Sequence, residues 1–269
     1  LKAMDWYSKN ELIVMGATAG QTRWTLMPQN QSNISQIKSF ASSSIDKKLD
    51  GLLLTLWDDD SPHFELYKRG IAAFAQYSWS GNSLPIKEFK KLFRIKNFGS
   101  QFGEDGFAFI DSLEKPVGMW LNMLLSENGW RPGLSKKQNP LESDIIDLPN
   151  LDKKGEWSKK HEVRINNAKR SLEISFKVET IINNLIQSES KNLYLLEIYN
   201  QVNELTKFSS DAILKLEKVD FDGDIKHIKN LESEFNSMRN EFERIYSKTR
   251  ILNKPDDYIL DQDHHHHPA

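Results

Sequence analysis

The sequence predicts an α/β segment followed by an all-α segment, and three observations carry that expectation. Two short apolar runs, ELIVMGATAG at 11–20 and LLLTLW at 52–57, are each followed by a stretch of helical spacing. Strand–helix–strand–helix order is that of parallel βα units, whose strands pair side by side and are covered by the helices between them. Beyond residue 155 three long segments carry apolar residues on one face, separated by short polar breaks, which predicts an antiparallel helical bundle. The expected organisation is therefore 1–80 for the two βα units, 81–155 for connecting structure with short helices, 156–250 for the bundle and 251–269 for a tail.

The first strand is expected over Glu11–Gly20, a continuous apolar run that ends in small residues and suits a strand buried on both faces. Ser32 or Asn33 can cap a helix from about Ile34 to Ser44, with Ile34, Ile37, Phe40 and Ala41 on one face. The second strand follows Gly51, and a second helix is expected over Phe64–Trp79, with Leu66, Ile71, Phe74 and Ala75 as its buried stripe. Two strands cannot bury both of their faces without partners, so these units read as the end of a larger sheet. Lys87–Ile95 alternates basic and apolar residues in a short helix. From Asn97 to Gly155 glycine, proline and tryptophan accumulate and periodicity fades, which predicts irregular structure with one short helix near Val117–Leu125. The bundle helices are expected over Ser158–Gln187, Lys191–Lys218 and Asp224–Thr249. The third is the clearest, with Leu231, Phe235, Met238, Phe242 and Ile245 stepping by four, three, four and three.

Composition removes several function classes. The 269 residues are 38% hydrophobic, enough for a core, and 36 Lys plus Arg against 38 Asp plus Glu leave a net charge of -2. That charge supplies no field for a polyanion, so nucleic acid is not an expected partner. Cysteine is absent, which removes disulfides, zinc–thiolate sites and thiol nucleophiles while leaving the redox compartment open. No run approaches the ~18 apolar residues of a membrane span, and LKAMDWYSKNELIVMG lacks the order of a signal peptide.

The chemistry-bearing segment is TLWDDDSPHFE, Thr55 to Glu65, where a tryptophan and three carboxylates follow the end of a buried strand. An indole offers a flat apolar wall to the C–H face of a sugar, and carboxylates accept hydrogen bonds from paired hydroxyls. Strand alternation would place Trp57 and Asp59 on one side and Asp58 and Asp60 on the other. The plainer reading is a solvated acidic turn feeding the N-terminus of a helix, which Asp60 and Ser61 before Pro62 also fit.

The stretch GLLLTLWDDDSPHFELYKRGIAAFAQYSW resembles the eighth strand, loop and helix of glycoside hydrolase family 20 barrels, the β-N-acetylhexosaminidases, whose strand ends in Trp, a small residue and an acid. QNPLESDIIDLP, Gln138 to Pro149, is similar to the Asp-Pro-Leu segment that opens the helical domain of such enzymes, with Asn139 in place of Asp. The resemblance implies that the chain is the C-terminal βαβα end of a (β/α)8 TIM barrel followed by the helical domain. It implies that Trp57 walls the terminal sugar subsite, that Asp59 binds the outer hydroxyls of that sugar, and that Asp58 stands where the family has glycine. TAGQTRWTLMPQNQSNIS then corresponds to the seventh strand and its loop, with Arg23 and Trp24 at the active face, Trp24 either lining the pocket or packing against the loop.

Catalysis in that family uses an adjacent Asp–Glu pair, the Glu protonating the leaving oxygen while the Asp orients the substrate's own acetamido group for attack. No Asp-Glu dipeptide occurs in this sequence. A complete barrel also needs ~200 residues or more. The resemblance thus implies no catalytic residue in this chain, no cofactor, a glycan with terminal N-acetylhexosamine as ligand, the N-terminal remainder of the barrel as partner, and a periplasmic or extracellular location. The alternative class is a non-catalytic helical interaction or carbohydrate-binding module.

Two further patterns carry little. Asp220, Asp222 and Asp224 alternate as in a calcium loop, but Ile225 stands where that loop needs glycine, so an inter-helix turn is expected. His63 and Glu65 lack a paired metal-ligand spacing, and no metal site is assigned. His264–His267 is given no function.

Overall fold

The computed structural model describes residues 2–10, 12–22, 25–57, 62–99, 105–120, 122–126, 144–188 and 191–252. The chain divides into two compact units, Leu1–Glu114 with Ser190–Asn192, and Lys115–Glu189 with Leu193–Ala269. In order, the elements are α1 (Lys2–Lys9), β1 (Met15–Gln21), α2 (Asn30–Asp46), β2 (Gly51–Trp57), a 3-10 turn (Phe64–Tyr67), α3 (Lys68–Ser80), α4 (Ile86–Phe98), α5 (Asp105–Trp120), α6 (Glu156–Lys160), α7 (Glu162–Gln187), α8 (Leu193–Asp222), a second 3-10 turn (Ile225–His227) and α9 (Leu231–Tyr246).

In the first unit β1 and β2 pair in parallel, from Met15 opposite Gly51 to Gln21 opposite Trp57. Helices cover one face of this sheet. Its even-numbered residues look toward them: a Cβ on Gly16 would lie 2.8 Å from the Phe40 ring of α2, and one on Gly20 would approach Leu56 and Tyr67. Glycine at 16 therefore serves close approach of helix and strand rather than backbone freedom. The other face stays open, with Met15 65%, Leu53 51% and Trp57 55% exposed. Beneath the helices, Ile34, Ile37 and Ala41 of α2 and Ala73 and Tyr77 of α3 are fully buried, with Phe89, Phe93 and Phe98 of α4 and Phe109, Ile110 and Leu113 of α5 also buried.

The expected fold class does not hold. Among the described residues the sheet has two strands and no barrel forms; the protein is mostly helical. A βα sequence pattern identifies a local unit but does not count its neighbours, and closure into a barrel is a property of strands far apart in sequence. Three local expectations also change. The helix after β1 starts at Asn30, ahead of both expected caps, and the Asn33 side-chain amide donates instead to the Gln21 carbonyl oxygen at 2.9 Å. In α3 the buried face carries Arg69, Gly70, Ala73 and Tyr77, while Ile71 is 37% exposed. Part of the stretch read as irregular is the 16-residue helix α5, which continues through Pro116. Phe109, Leu113 and Val117 at four-residue spacing are all fully buried and offset the hydrogen bond that proline removes.

In the second unit α7 and α8 run antiparallel, as the cross-helix ion pairs Lys169–Glu217 (2.8 Å) and Lys207–Glu179 (2.9 Å) require. Near their midpoint the seam is polar: the Ser175 and Thr206 hydroxyls are 3.3 Å apart, and the Asn203 amide donates to the Ser175 carbonyl oxygen at 3.0 Å. At one end Ile165 and Ala168 of α7 pack with Ile213 and Leu216 of α8 around Trp157 of α6, Met123 and Ile146. The Trp157 Nε1 donates to the Asp147 carbonyl oxygen at 2.7 Å, so the indole is both buried and satisfied. Helix α9 lies against α8 through Phe208–Phe235 (ring centroids 5.7 Å) and the Lys215–Glu234 ion pair, and Ile245 is its one buried side chain. No described helix is long and apolar enough to cross a membrane.

Candidate functional site

The site begins at the C-terminal end of β2. Alternation puts Trp57 on the open face of the sheet with Leu53 and Thr55, and the Trp57 Nε1 donates to the Thr55 Oγ1 at 3.1 Å, so one indole orientation is favoured. The backbone beneath it is anchored three times: the Trp57 carbonyl oxygen accepts from the Tyr67 hydroxyl at 2.5 Å, from the Thr22 N–H at 3.3 Å and from the Thr22 hydroxyl at 3.4 Å. Just beyond β1 the Thr25 hydroxyl donates to the Thr22 carbonyl oxygen at 2.6 Å, and the Gln29 N–H returns to the Gln21 carbonyl oxygen at 3.1 Å. Both strand ends are thus tied, and the exposed ring stands on a fixed base. Such a ring presents a flat, weakly hydrated surface suited to stacking on C–H groups.

Of the residues expected at this site, Trp57 is the one placed. Arg23, Trp24, Asp58 and Asp59 lie outside the described residues, as does Asp60. Thr55 and Tyr67, which orient and anchor Trp57, carried no sequence signal of that role; a tyrosine ten residues after the strand end is visible only as a helix-face aromatic. His63 is fully buried and Glu65 partly so. Among the described residues no group of three or more His, Asp or Glu side chains could hold a metal ion. The Asp220–Asp224 segment is the last turn of α8 and the break that follows it: the buried Asp220 accepts from the Ser158 N–H at 2.9 Å, Asp222 meets the His227 Nε2 at 2.6 Å, and Asp224 accepts from the Lys226 N–H at 2.9 Å.

Two other polar clusters fall outside the sequence expectations. In the second unit a shallow cavity of about 250 Å³ is lined by Lys160, His161, Arg164 and Asn167 with Met119 and Met123. Its polar side chains serve the surrounding chain: Lys160 and His161 both meet Asp147 (3.1 and 3.0 Å), and the Arg164 Nη1 donates to the carbonyl oxygens of Asn122, Met123 and Leu125 at 2.6–2.8 Å. In the first unit Asp111 joins Arg69 (2.6 Å) and Lys90 (2.7 Å), with Glu114 one turn further along α5. Burial works to raise Asp111, but Arg69 and Lys90 outweigh it and hold its carboxyl below the usual range. Burial and the Asp111 charge push Glu114 the other way, up to about 7.

Comparison of the chain with protein families, with curated proteins and with solved structures finds no match.

Proposed function

We propose that this chain supplies a sugar-binding wall to a hydrolase that removes terminal N-acetylhexosamine from glycans, with Trp57 stacking on the sugar and the bond-breaking Asp–Glu pair carried on polypeptide outside this sequence. The observation that carries the reading is a tryptophan 55% exposed at the C-terminal end of a parallel strand, its N–H held by Thr55 and its carbonyl oxygen by Tyr67 and Thr22. Exposing that much indole on a fixed base forgoes burial worth roughly 25 cal/mol per Å² of apolar surface, a cost that ligand stacking recovers. The resemblance of the surrounding sequence to family 20 glycoside hydrolases supports the choice of amino sugar. In this reading Asp59 accepts hydrogen bonds from the outer hydroxyls, Asp58, Arg23 and Trp24 are the further substrate-binding residues, and chemistry proceeds through the substrate's acetamido group.

Saturation-transfer NMR on the chain with N-acetylglucosamine and N-acetylgalactosamine tests it. Transfer to ring and acetyl protons is expected, and Trp57→Ala is expected to weaken it about fivefold or more, stacking of this kind being worth on the order of 1 kcal/mol or more. Transfer that is equal in the variant, or absent for both amino sugars with the wild-type chain, overturns the assignment.

A further inference from the structure

Helices α2, α3, α4 and α5 of the first unit meet at a buried group of charges that the sugar-binding reading does not use. Glu114 is 8% exposed, and both of its carboxylate oxygens face one donor, the Gln31 N–H in the first turn of α2, at 3.1 and 3.4 Å. Asp111 lies three residues earlier on the same face of α5 and takes both neighbouring cations. The Arg69 Nη1 from α3, on a side chain 2% exposed, meets one oxygen at 2.6 Å; the Lys90 Nζ from α4 meets the other at 2.7 Å. The groups facing Glu114 are therefore the Gln31 N–H from α2, Arg69 from α3, Lys90 from α4 and Asp111 on its own helix. A helix N-terminus and two cations favour a carboxylate there. Burial and a second carboxylate on the same helix face oppose it.

We propose that Glu114, with the Asp111–Arg69–Lys90 group, is a proton-operated clasp: protonated, it lets α5 stay buried against the first turn of α2, and ionised, the cost of a buried charge outweighs the Gln31 N–H bond and loosens that packing. The cations are already paired to Asp111, so a charge on Glu114 enters a buried site with one N–H to receive it. The carboxyl is held near 7, above its ordinary 4.5. Because the folded value exceeds the unfolded one, the clasp's contribution is complete below about 4.5 and is lost as pH rises through about 7. Asp111 acts in the opposite sense and in a separate window. Its carboxyl lies below 3.8, so its contribution is kept above that value and lost only in stronger acid.

Hydrogen exchange read by mass spectrometry on the full chain between pH 5 and 8.5 tests the clasp, with peptides from α7 and α8 in the same sample correcting for the intrinsic pH dependence of exchange. Peptides spanning the start of α2 and the described part of α5 are expected to lose protection as pH rises through about 7. Glu114→Gln, which mimics the protonated acid, is expected to remove that loss, and Lys90→Met is expected to move its midpoint upward. Protection that tracks the α7 and α8 peptides across the whole range overturns the proposal. Should Glu114→Gln fail to fold, the Glu114 carboxyl carbon is followed by NMR in the wild-type chain; titration near 4.5 overturns the proposal, and titration near 7 supports it.

Discussion

The β1–β2 sheet and the α7–α8 helix pair complete their surfaces in opposite ways. The helix pair closes its seam with residues of its own: small hydroxyl side chains meet in the middle, Ser175 with Thr206, and apolar side chains fill the ends, Ile165 with Ile213 and Leu216 at one, Val178, Ile182, Leu185 and Leu196 buried toward the other. Ser175, Thr206 and Asn203 find partners across that seam, which is the condition for burying them cheaply. The sheet is closed on the α2 and α3 side and open on the other, where Met15, Leu53 and Trp57 meet solvent. Binding surfaces come from elements whose burial the fold leaves incomplete, and the candidate sugar wall belongs to the sheet for that reason.

Substitutions can break or sharpen the contrast. The largest effect is expected at Trp157, 4% exposed and hydrogen-bonded to the Asp147 carbonyl oxygen. Trp157→Ala should destabilise the second unit by about 3–5 kcal/mol, read by denaturant unfolding followed by circular dichroism. An intermediate effect is expected on the covered face of the sheet. Gly16→Ala places a methyl 2.8 Å from the Phe40 ring, and about 1–3 kcal/mol of overpacking should follow in the first unit, read as faster exchange of the β1 and α2 amides. The smallest is expected on the open face, where Leu53→Thr should change stability by less than about 0.5 kcal/mol, the side chain being half-exposed and threonine well suited to a strand. A large cost at Leu53 would mean that the open face is covered in solution.

The helices show how uneven the legibility of the sequence was. The cleanest periodicity, Leu231 through Ile245, belongs to α9, where only Ile245 is buried. A helix that lies on one partner shows the sharpest contrast between its faces, so periodicity reports amphipathicity rather than depth. Helix α8, with buried residues from Leu195 to Asp220, mixes Gln201, Asn203, Thr206, Ser209 and Ser210 into its inner surface and reads less clearly. At the candidate site Trp57 was legible because an aromatic residue ending an apolar run is a local signal. Thr55 and Tyr67 were not, because nothing in their neighbours announces which atom they will hold.

Local pattern determined where strands and helices form: β2 lies on the second apolar run and β1 on the small-residue end of the first, with Leu12–Val14 outside it, and helices lie on most of the segments with a 3.6-residue repeat, since both signals act between residues a few positions apart. Tertiary structure decided what those elements join. Among the described residues it left the sheet at two strands where a barrel end was expected, turned Arg69 inward, made α5 from a stretch rich in glycine and proline, and set Glu114 against the first turn of α2. Each of those outcomes depends on partners distant in sequence, 42 residues from Arg69 to Asp111 and 83 from Gln31 to Glu114, and no periodicity read along the chain encodes the free energy of such pairs.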